Sequence, residues 1–330
     1  MKNGLILLNI GTPDAPDTAS VRRYLREFLS DKRVIDLSAP LRYLILYAFI
    51  LPFRPQRSAH AYQAVWTKEG SPLMTNSLIL QSKLQKHLGE NYDVVIGMRY
   101  GKPSIHQALN QLAHCEHITV LPLFPQYSSA ATGSAIEKVM DELRKKAIFP
   151  SLQIIRDFHQ HPDFISAQAA QIKPYLANHD YILFSYHGLP ENHLKKGGCN
   201  PVCANACPST MPIDKGCYRA QCLQTTSLLA DRLSLTHYSS SFQSRLGRTP
   251  WIKPYTDFVL PELASKGIKR LAVACPSFAL DCLETLEEIG IRAREQWLEL
   301  GGETLTLIPC LNAEDGWIKV IASIIESHRC

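Results

Sequence analysis

The sequence predicts an α/β protein built from two Rossmann-like, doubly wound domains, each with a four-stranded parallel sheet. Three observations support this prediction. The chain has 330 residues, more than a single hydrophobic core usually serves. Short apolar runs alternate with amphipathic stretches of helical length, which is the rhythm of βαβ units. Polar and aromatic residues follow directly on several of these runs, at the sheet edge where open α/β folds bind ligands.

Four strands are predicted in each half, from apolar runs that end in Gly, Pro or a polar cluster. The first half contains Gly4–Ile10, Tyr92–Met98, Ile118–Leu123 and Leu152–Arg156, and the second contains Tyr181–Ser185, Tyr238–Phe242, Arg270–Ala274 and Thr304–Ile308. We therefore place the domains at residues 1–165 and 166–313, with a C-terminal helix within 314–330 that packs back on the first domain. No residue-level repeat relates the two halves.

Helices are predicted where apolar residues recur every three or four positions. The first follows Asp17, a good N-cap residue, and its apolar face consists of Val21, Tyr24, Leu25, Phe28 and Leu29. Further helical stretches are Ile105–Leu112, Ile136–Arg144, Leu223–Leu233, Phe258–Lys266, Asp281–Leu300 and Trp317–His328. This alternation places helices on both faces of parallel sheets.

The segment Leu41–Phe53 is almost entirely apolar and has two interpretations. It is shorter than the ~20 apolar residues that cross a bilayer. A buried helix would belong to the core, whereas an exposed lip would contact a membrane surface or an oily substrate, with Arg54 and Arg57 suited to anionic head groups. We expect Leu46→Asp to weaken substrate uptake or membrane adherence more than it lowers stability, whereas a large loss of stability with normal substrate affinity would show that the segment is core.

Composition and charge exclude several classes of function. The net charge of +5 is mild, and the sequence has no basic helix or RNA-type aromatic motif, so nucleic acid is not an expected partner. Neither G-x-G-x-x-G nor G-x-x-x-x-G-K-[ST] occurs, so no nucleotide is expected. The ten cysteines, without a recognisable signal peptide, indicate reduced thiols or metal ligands and a cytoplasmic protein.

One histidine stands where chemistry is expected. His187 follows a predicted strand and precedes Gly188 and Pro190, so it lies at the carboxyl end of that strand. Other polar or aromatic residues hold similar positions: Arg99, Tyr100, Tyr127, Gln243, Ser244, Arg245, Ser277 and Phe278. The switch-point rule predicts that these residues converge on one cleft. A lone histidine is more often structural, but this position favours a functional role.

Three carboxylates follow the last of these strand ends. Asp281, Glu284 and Glu288 have the spacing i, i+3, i+7, which places them along one face of a helix. They are either a solvated face favoured by the helix dipole or an acidic line that starts at the cleft. In the second case, a buried carboxylate would have its pKa raised toward the range of a general base.

Five of the ten cysteines form a cluster after His187, with the spacing C-x3-C-x3-C-x9-C-x4-C. They are Cys199, Cys203, Cys207, Cys217 and Cys222. The first two gaps are compatible with zinc, and crowding of this kind argues against five free thiols.

Many separate motifs resemble the bacterial protoporphyrin ferrochelatases, in order from residue 4 to about residue 325. They are Leu8–Pro13, Gly70–Leu73, Met98–Gly101, Pro125–Ser128, Ser185–Pro190, Phe242–Arg245, Pro250–Trp251 and Cys275–Phe278 followed by Asp281–Leu286. The resemblance implies insertion of Fe²⁺ into protoporphyrin IX to give protohaem, on the two-domain chelatase fold. Both the iron and the porphyrin are then substrates.

The resemblance also implies roles for individual residues. The family's active-site histidine falls on His187 and its essential acidic residue on Glu284, and its apolar lip falls on Leu41–Phe53. The porphyrin-pocket positions are Ile10, Arg99, Tyr127 and Trp251. Many relatives have Tyr or Met at the first of these, so Ile10 excludes a side-chain metal ligand there.

Metallation requires a dry cleft and a base, because two protons must leave the pyrrole nitrogens of a flat, apolar ring. His187 and Glu284 are expected to accept protons and to bind Fe²⁺ transiently. Asp281 and Glu288 would extend a path that conducts metal in or protons out.

Some ferrochelatases carry a [2Fe–2S] cluster, and a subset houses it in an internal insertion as here. Others complete it with a C-terminal extension and a Cys where this chain has Ser129, which excludes that arrangement. Cys222 lies in a stretch that cluster-free relatives share. The resemblance therefore assigns the cluster to Cys199, Cys203, Cys207 and Cys217, with zinc as the alternative metal.

Three other functions compete with this interpretation. One is a chelatase for another tetrapyrrole such as coproporphyrin, which has a different number of propionates to pair. Another is a non-catalytic haem or porphyrin carrier, which needs an axial ligand but no acidic line. The third is a cluster-based redox or iron sensor, in which the cysteine segment would be the functional part.

Overall fold

Two parallel sheets form the framework of the protein in a computed structural model that describes residues 2–199, 202–203, 216–247 and 249–328. The described strands are β1 Asn3–Asn9, β2 Tyr92–Met98, β3 His117–Pro122, β4 Ser151–Ile154, β5 Tyr181–His187, β6 Tyr238–Gln243, β7 Arg270–Ala274 and β8 Thr304–Leu307. The sheets have the orders β2-β1-β3-β4 and β6-β5-β7-β8, and every pairing is parallel. The predicted fold class is confirmed.

The chain divides into two compact units, each containing one sheet. Unit 1 comprises residues 1–124, 129–156 and 313–330, and unit 2 comprises residues 125–128 and 157–312. In both sheets the first strand pairs with the second on one side and with the third on the other. Each sheet therefore has a topological switch point, in unit 1 between β1 and β3 and in unit 2 between β5 and β7.

Helices surround each sheet. The α-helices of unit 1 are α1 Thr18–Ser30, α2 Ala39–Leu44, α3 Arg54–Val65, α4 Pro72–Leu88, α5 Ile105–Gln111, α6 Ser134–Leu143 and α13 Asp315–Ser327. Those of unit 2 are α7 Pro162–Ile172, α8 Glu191–Lys196, α9 Tyr218–Leu233, α10 Thr256–Ser265, α11 Leu283–Leu286 and α12 Arg294–Glu299. The predicted cap of α1 is present, since the Asp17 carboxylate accepts hydrogen bonds from the backbone N–H groups of Ala19 and Ser20.

Short π-helical and 3₁₀-helical segments occur in addition to these α-helices. Ile45–Ile50, Ser129–Gly133 and Glu288–Ala293 are π-helical, and Gly89–Asn91 and Lys173–Asn178 are 3₁₀-helical. The central strands are buried on both faces, as their continuous apolar runs predict: Leu5, Ile6, Leu7 and Leu8 of β1 are at most 1% exposed. In unit 1, Lys83 of α4 pairs with Asp315 of α13, which ties the C-terminal helix to this unit.

The apolar segment 41–53 is mostly exposed, but Arg42, Leu46 and Leu51 are buried. Phe49 and Phe53 are 65% and 70% exposed, and Leu44 and Tyr47 are also exposed. Leu46 is fully buried at 0%. The choice of Leu46 as a probe of the lip is therefore wrong, because Leu46→Asp would place a charge in the core. No described helix is both long and apolar enough to cross a membrane.

Candidate active site

His187 is the last residue of β5, at the switch point of the unit 2 sheet, and its backbone is held on both sides. It pairs with Gln243 at the end of β6. Its N–H donates to the Ser277 hydroxyl (3.1 Å), on the loop after β7, and its carbonyl accepts from the Tyr218 hydroxyl (2.8 Å), on α9. Contacts from two neighbouring elements thus fix the position from which the imidazole projects.

The His187 ring is half-buried and has a defined tautomer. Its Nδ1 lies 2.6 Å from the carbonyl oxygen of Gly188, which can only accept a hydrogen bond. Nδ1 therefore carries the proton, and the Nε2 of the neutral ring keeps its lone pair. This nitrogen is suited to accept a proton or to bind a metal ion.

Gly188 and Trp251 shape the surroundings of this ring. A Cβ at Gly188 would lie 2.7 Å from the Gln243 carbonyl oxygen and 3.3 Å from Trp251 Cε3, so only glycine fits between β6 and the indole. The indole N–H donates to the Leu246 carbonyl (2.9 Å), which fixes the ring. Trp251 therefore lies beside the loop that His187 begins.

Glu284 and Glu288 are connected to the end of β6. The Gln243 side chain donates to the Glu284 carbonyl oxygen (2.7 Å), which ties α11 to the strand that pairs with His187. The Glu288 carboxylate accepts from the Ser244 N–H (2.8 Å) and from the Ser244 hydroxyl (2.5 Å). Both carboxyl-bearing residues are half-buried. Hydrogen bonds from the end of β6, which pairs with His187, therefore reach the backbone of Glu284 and the carboxylate of Glu288.

Asp281 does not belong to the acidic line that the sequence predicts, because α11 starts only at Leu283 and Asp281 precedes it. Its buried carboxylate accepts from Thr285 Oγ1 (2.9 Å), from Asn312 Nδ2 (2.7 Å) and from the Cys310 N–H. The predicted helix Asp281–Leu300 is also divided by the π-helical turn Glu288–Ala293. Asp281 therefore joins the start of α11 to the segment after β8 and has a structural role.

Tyr127, predicted to contact porphyrin, belongs to unit 2 although it precedes most of that unit in sequence. Its N–H donates to Gln221 Oε1 of α9 (2.6 Å), and the neighbouring Gln126 donates to Thr225 Oγ1 (3.0 Å). The phenol ring is half-buried, and a Cβ at Gly216 would lie 3.5 Å from Tyr127 Cδ1. Residues 125–128 are thus held by α9.

Arg99, also predicted to contact porphyrin, is part of a closed network in unit 1. Its guanidinium donates to the Asp31 carboxylate (2.6 Å) and to the Ser134 hydroxyl (2.6 Å), and Asp31 also accepts from the Tyr100 hydroxyl (2.9 Å). Burial acts to raise the pKa of Asp31, but hydrogen bonds from Ser134 and the Arg33 N–H, with the Arg99 charge, lower it overall. Arg99 therefore supports the end of β2.

Ile10 directly follows β1 at the switch point of unit 1. Its carbonyl accepts from the Tyr100 N–H (3.0 Å), and the half-buried side chain offers no metal ligand. The next residue must be glycine, since Gly11 has φ +105° and a Cβ there would lie 1.8 Å from the Tyr100 carbonyl oxygen.

Three of the four predicted cluster cysteines are described, and Cys207 lies outside the described residues. Burial, followed by the nearby Cys217 thiol, raises the pKa of Cys199, and the Cys203 thiol also contributes. Arg219 Nη1 donates to Cys203 Sγ (3.3 Å). Cys222 is fully buried in α9, and burial raises the pKa of its thiol well above the ordinary value. Cys222 therefore belongs to the core of unit 2.

The sequence matches a known protein family over nearly its whole length. The family model described as Ferrochelatase matches residues 2–329. A ferrochelatase from Legionella pneumophila (strain Lens) is 57% identical over 330 residues, covering 99% of this chain and 100% of the relative. The chain belongs to the ferrochelatase family. The resemblance predicted from the motifs is confirmed, as is the prediction of an enzyme, since ferrochelatases are metal chelatases of the lyase class.

A second ferrochelatase, from Coxiella burnetii (strain Dugway 5J108-111), is 52% identical over 332 residues, covering 98% of this chain and 93% of the relative. Among solved structures, SirB from Bacillus subtilis with Fe³⁺ aligns with a TM-score of 0.59 at 10% identity, covering 99% of this chain and 96% of that one. CbiX, the terminal enzyme for siroheme biosynthesis in denitrifying bacteria, aligns over 100% of both chains with a TM-score of 0.50 at 10% identity. At this identity the structures support the chelatase fold alone.

A separate group of metal-ligand side chains occurs in unit 1. The ligand atoms of Asp93, His114 and Cys115 lie within 4.8 Å of one another, the one such group among the described residues. The Lys2 ammonium contacts the same Asp93 carboxylate (2.9 Å), and His114 Nε2 lies 2.5 Å from it. These contacts already balance the carboxylate charge, so the group is a surface ion-pair cluster.

The residues that position His187 were not assigned this role from the sequence. Ser277 and Gln243 were noted only as strand-end residues, and Tyr218 lies 31 positions after His187. Their hydroxyl and amide groups act on backbone atoms, for which spacing and residue type give no signal. Gly188 was the available clue, because a glycine directly after a strand indicates close approach by another backbone.

Proposed function

We propose that the chain inserts ferrous iron into protoporphyrin IX to give protohaem, the terminal step of haem biosynthesis, with His187 and Glu284 as proton acceptors and transient metal ligands. Membership of the ferrochelatase family supports the reaction. The observation that carries the residue assignment is the His187 ring, whose Nε2 keeps a lone pair while its backbone is held on both sides.

The reaction transfers protons and no electrons, because Fe²⁺ replaces two pyrrole protons and keeps its oxidation state. His187 Nε2 accepts a proton from the pyrrole nitrogen that faces it, and the Glu284 carboxylate supplies a second acceptor. Glu288, held by Ser244, continues the path by which protons leave or metal arrives. The proposal assigns no step to Asp281, because its carboxylate is occupied by three structural partners.

Aromatic side chains around His187 suit a flat macrocycle. Trp251 lies against Gly188, and the Phe278 ring centroid lies 6.2 Å from that of His187. Tyr127 offers a further half-buried ring in unit 2. We propose that Trp251 and Tyr127 contact the porphyrin, whereas Ile10 and Arg99 keep this role as predictions from the family resemblance. Such contacts remote from the metal can supply the energy that bends the ring.

We further propose that Cys199, Cys203, Cys207 and Cys217 hold a [2Fe–2S] cluster, with zinc as the alternative. The spacing of the four cysteines supports this proposal, and the Cys217 thiol acts on that of Cys199 by hydrogen bonding and charge. A bound cluster would cross-link this segment, since metal ligation supplies folding energy. Cys203→Ser should remove both iron and acid-labile sulfide from the purified protein, whereas Cys222→Ser should keep both. Retention of iron by the first variant, or its loss from the second, would contradict the ligand set.

The exposed lip residues support peripheral contact with a membrane surface. Phe49 and Phe53 are exposed, and no Asp or Glu occurs between Ser38 and Trp66, so an anionic surface meets no acidic side chain from this stretch. Phe49→Ser should reduce sedimentation with anionic vesicles, whereas Leu298→Ser, at a 47% exposed leucine in unit 2, should leave it unchanged. Equal sedimentation of both variants with the wild type would contradict the contact.

The function is tested by mixing the purified protein with Fe²⁺ and protoporphyrin IX under anaerobic conditions and recording the haem spectrum. We expect protohaem to form faster than without protein, and faster than the corresponding product from coproporphyrin. A preference for coproporphyrin would favour the other chelatase. Tight porphyrin binding without metallation would favour the carrier, and metallation that depends on neither His187 nor Glu284 would overturn the site.

A further inference from the structure

Arginines of α1 and part of the apolar segment 41–53 enclose a small pocket in unit 1. Its lining residues are Arg22, Arg23, Arg26, Tyr47, Leu51 and Pro52. The volume of the pocket is about 210 Å³, which is ample for a phosphate group, since one water molecule occupies about 30 Å³. No acidic side chain is among these described lining residues. The pocket therefore joins three positive charges to an apolar wall and lines them with no negative charge.

The local structure of α1 does not account for this group of arginines. Arg22 and Arg26 are exposed and have no ion pair among the residues that the structure describes. Arg23 donates to Ser20 Oγ (2.8 Å), and its Nη2 lies 3.6 Å from the exposed Asp14 carboxylate, a contact that contributes little. Like charges at i and i+4, such as Arg22 and Arg26, destabilise a helix. None of the three lies in the last turn, where the helix dipole favours a cation.

The wall of the pocket continues into the exposed part of the segment 41–53. Leu51 is buried, whereas Tyr47 is 55% exposed, and Phe49 and Phe53 close by in the sequence are exposed further. A segment that lies in a membrane interface inserts apolar side chains among the acyl chains and keeps cations at the level of the head groups. The exposed aromatic side chains and the arginine pocket thus present the two kinds of group that an anionic lipid contacts.

We propose that this pocket binds the phosphate group of an anionic membrane lipid, with the guanidinium groups of Arg22 and Arg26 as its main ligands. The proposal rests on the peripheral membrane contact proposed above and names the class of lipid that this contact selects. A guanidinium group donates paired hydrogen bonds to phosphate oxygens. Free phosphate offers the same oxygens, but only a lipid also supplies acyl chains for Phe49 and Phe53, which favours the lipid.

The test compares two double variants that separate charge from hydrogen-bond geometry. Arg22→Gln/Arg26→Gln removes both charges, whereas Arg22→Lys/Arg26→Lys keeps the charges and removes the paired donors. The matched control is Arg232→Gln/Arg294→Gln, at two exposed arginines of unit 2. Each protein is sedimented with vesicles of phosphatidylglycerol and, separately, of phosphatidylcholine, and the two partition coefficients are compared. Thermal unfolding establishes that each variant is folded.

The wild type should partition more strongly into the anionic vesicles than into the neutral ones. The glutamine variant should lose about 5-fold in this preference for each arginine, or about 30-fold in all. The lysine variant should lose about 5-fold, because an ammonium group cannot make the paired hydrogen bonds. The control variant should keep the preference of the wild type.

Different failures point to different errors. Equal partition of the wild type into both kinds of vesicle, or a lysine variant that matches the wild type, would overturn the pocket, since diffuse charge would then suffice. Thermal stabilisation of the wild type by inorganic phosphate, without a preference for anionic vesicles, would assign the pocket to free phosphate. A raised KM for protoporphyrin in the glutamine variant without vesicles would assign the arginines to the porphyrin carboxylates.

The peripheral contact itself is tested separately by Phe49→Ser. This variant should lower partition into both kinds of vesicle and leave their ratio unchanged, whereas the arginine variants should change the ratio. An unchanged partition of Phe49→Ser would contradict the role of the segment 41–53 and leave the ratio as the measure of the pocket. Absence of any sedimentation of the wild type would overturn both proposals.

Discussion

The two units share one strand order, yet their switch points carry different chemistry. In unit 1 the polar groups that follow β2 are satisfied by neighbouring helices: Arg99 and Tyr100 form a closed network with Asp31, after α1, and Ser134, at the start of α6. In unit 2 the network around His187 closes on its backbone and leaves the ring nitrogen Nε2 with a lone pair. The shared topology therefore places polar residues at the switch point of both sheets. The hydrogen bonds differ, and only those around His187 leave a ring nitrogen able to react.

The same difference distinguishes residues that stabilise the fold from residues proposed to act in the reaction. A satisfied buried ion pair resists change, because removal of one partner leaves a charge without compensation. Half-buried Glu284 and Glu288, in contrast, have no cation paired with them: Gln243 bonds to the Glu284 backbone carbonyl, and Ser244 donates to both carboxylate oxygens of Glu288, among the described residues. Substitutions in the Asp31 network should mainly lower stability, and substitutions of Glu284 or Glu288 should mainly lower turnover.

Apart from substitution of His187, the largest effect is expected from Glu284→Gln. The amide keeps the shape of the side chain and removes the base, so kcat should fall by about 10²- to 10⁴-fold. The free energy of unfolding should stay near that of the wild type, because the Gln243 contact to the Glu284 backbone carbonyl is kept. Steady-state metallation and denaturant unfolding of the same preparation measure the two quantities. Near-normal kcat would remove Glu284 from the mechanism.

Asp31→Asn should give the opposite profile. It removes the anion that Arg99 contacts at 2.6 Å in a buried site, so the free energy of unfolding should fall by about 3 to 5 kcal/mol. kcat per folded molecule should change far less. A loss of turnover without a loss of stability would contradict the structural role of this network.

The Asp31 network also predicts a dependence on pH. The pKa of Asp31 is lowered in the folded state, so its contribution to stability is complete above the ordinary aspartate pKa of about 4 and is lost as the pH falls through the folded-state value. The difference in unfolding free energy between the wild type and Asp31→Asn should therefore shrink on acidification. Unfolding curves at neutral and acidic pH measure it, and a difference that grows toward low pH would contradict the assignment.

The smallest effect is expected from Glu288→Gln. The amide can still accept from Ser244 but has no charge for a proton or a metal ion, so kcat should fall by about 10-fold. Glu287→Gln is the control, since Glu287 pairs with Arg292 in the same turn. Equal effects of the two substitutions would show that the charge of Glu288 has no special role.

The fold was more accessible to sequence reasoning than the site. Apolar runs such as that of β1 predicted the strands, because both faces of a parallel strand are buried. The position of His187 followed from the strand that precedes it. The helix Asp281–Leu300 was predicted as one piece because its spacing fits 3.6 residues per turn, but the buried contacts of Asp281 with Thr285 and Asn312 hold it outside the helix. Contacts between residues that are distant in sequence determine where such a helix begins, and the periodicity of the sequence does not indicate these contacts.

The segment 41–53 shows the same limit. Its composition fits a core helix and an exposed lip equally well, and the buried residues Arg42, Leu46 and Leu51 lie among exposed neighbours. Which side chains point inward depends on α1, against which the segment and α3 pack, and no local pattern identifies them.

We propose that His187 performs the chemistry because its Nε2 has no hydrogen-bond partner among the residues that the structure describes. His179 offers a matched control just before the same strand: its Nδ1 contacts the Tyr175 carbonyl (2.6 Å), but its Nε2 is bonded to Thr306 Oγ1 (2.9 Å). The measurement is kcat for Fe²⁺ insertion into protoporphyrin IX by His187→Ala and His179→Ala, each shown to be folded by thermal unfolding. The account predicts that His187→Ala loses metallation at unchanged stability, while His179→Ala keeps wild-type kcat per folded molecule. Normal turnover in folded His187→Ala would contradict it.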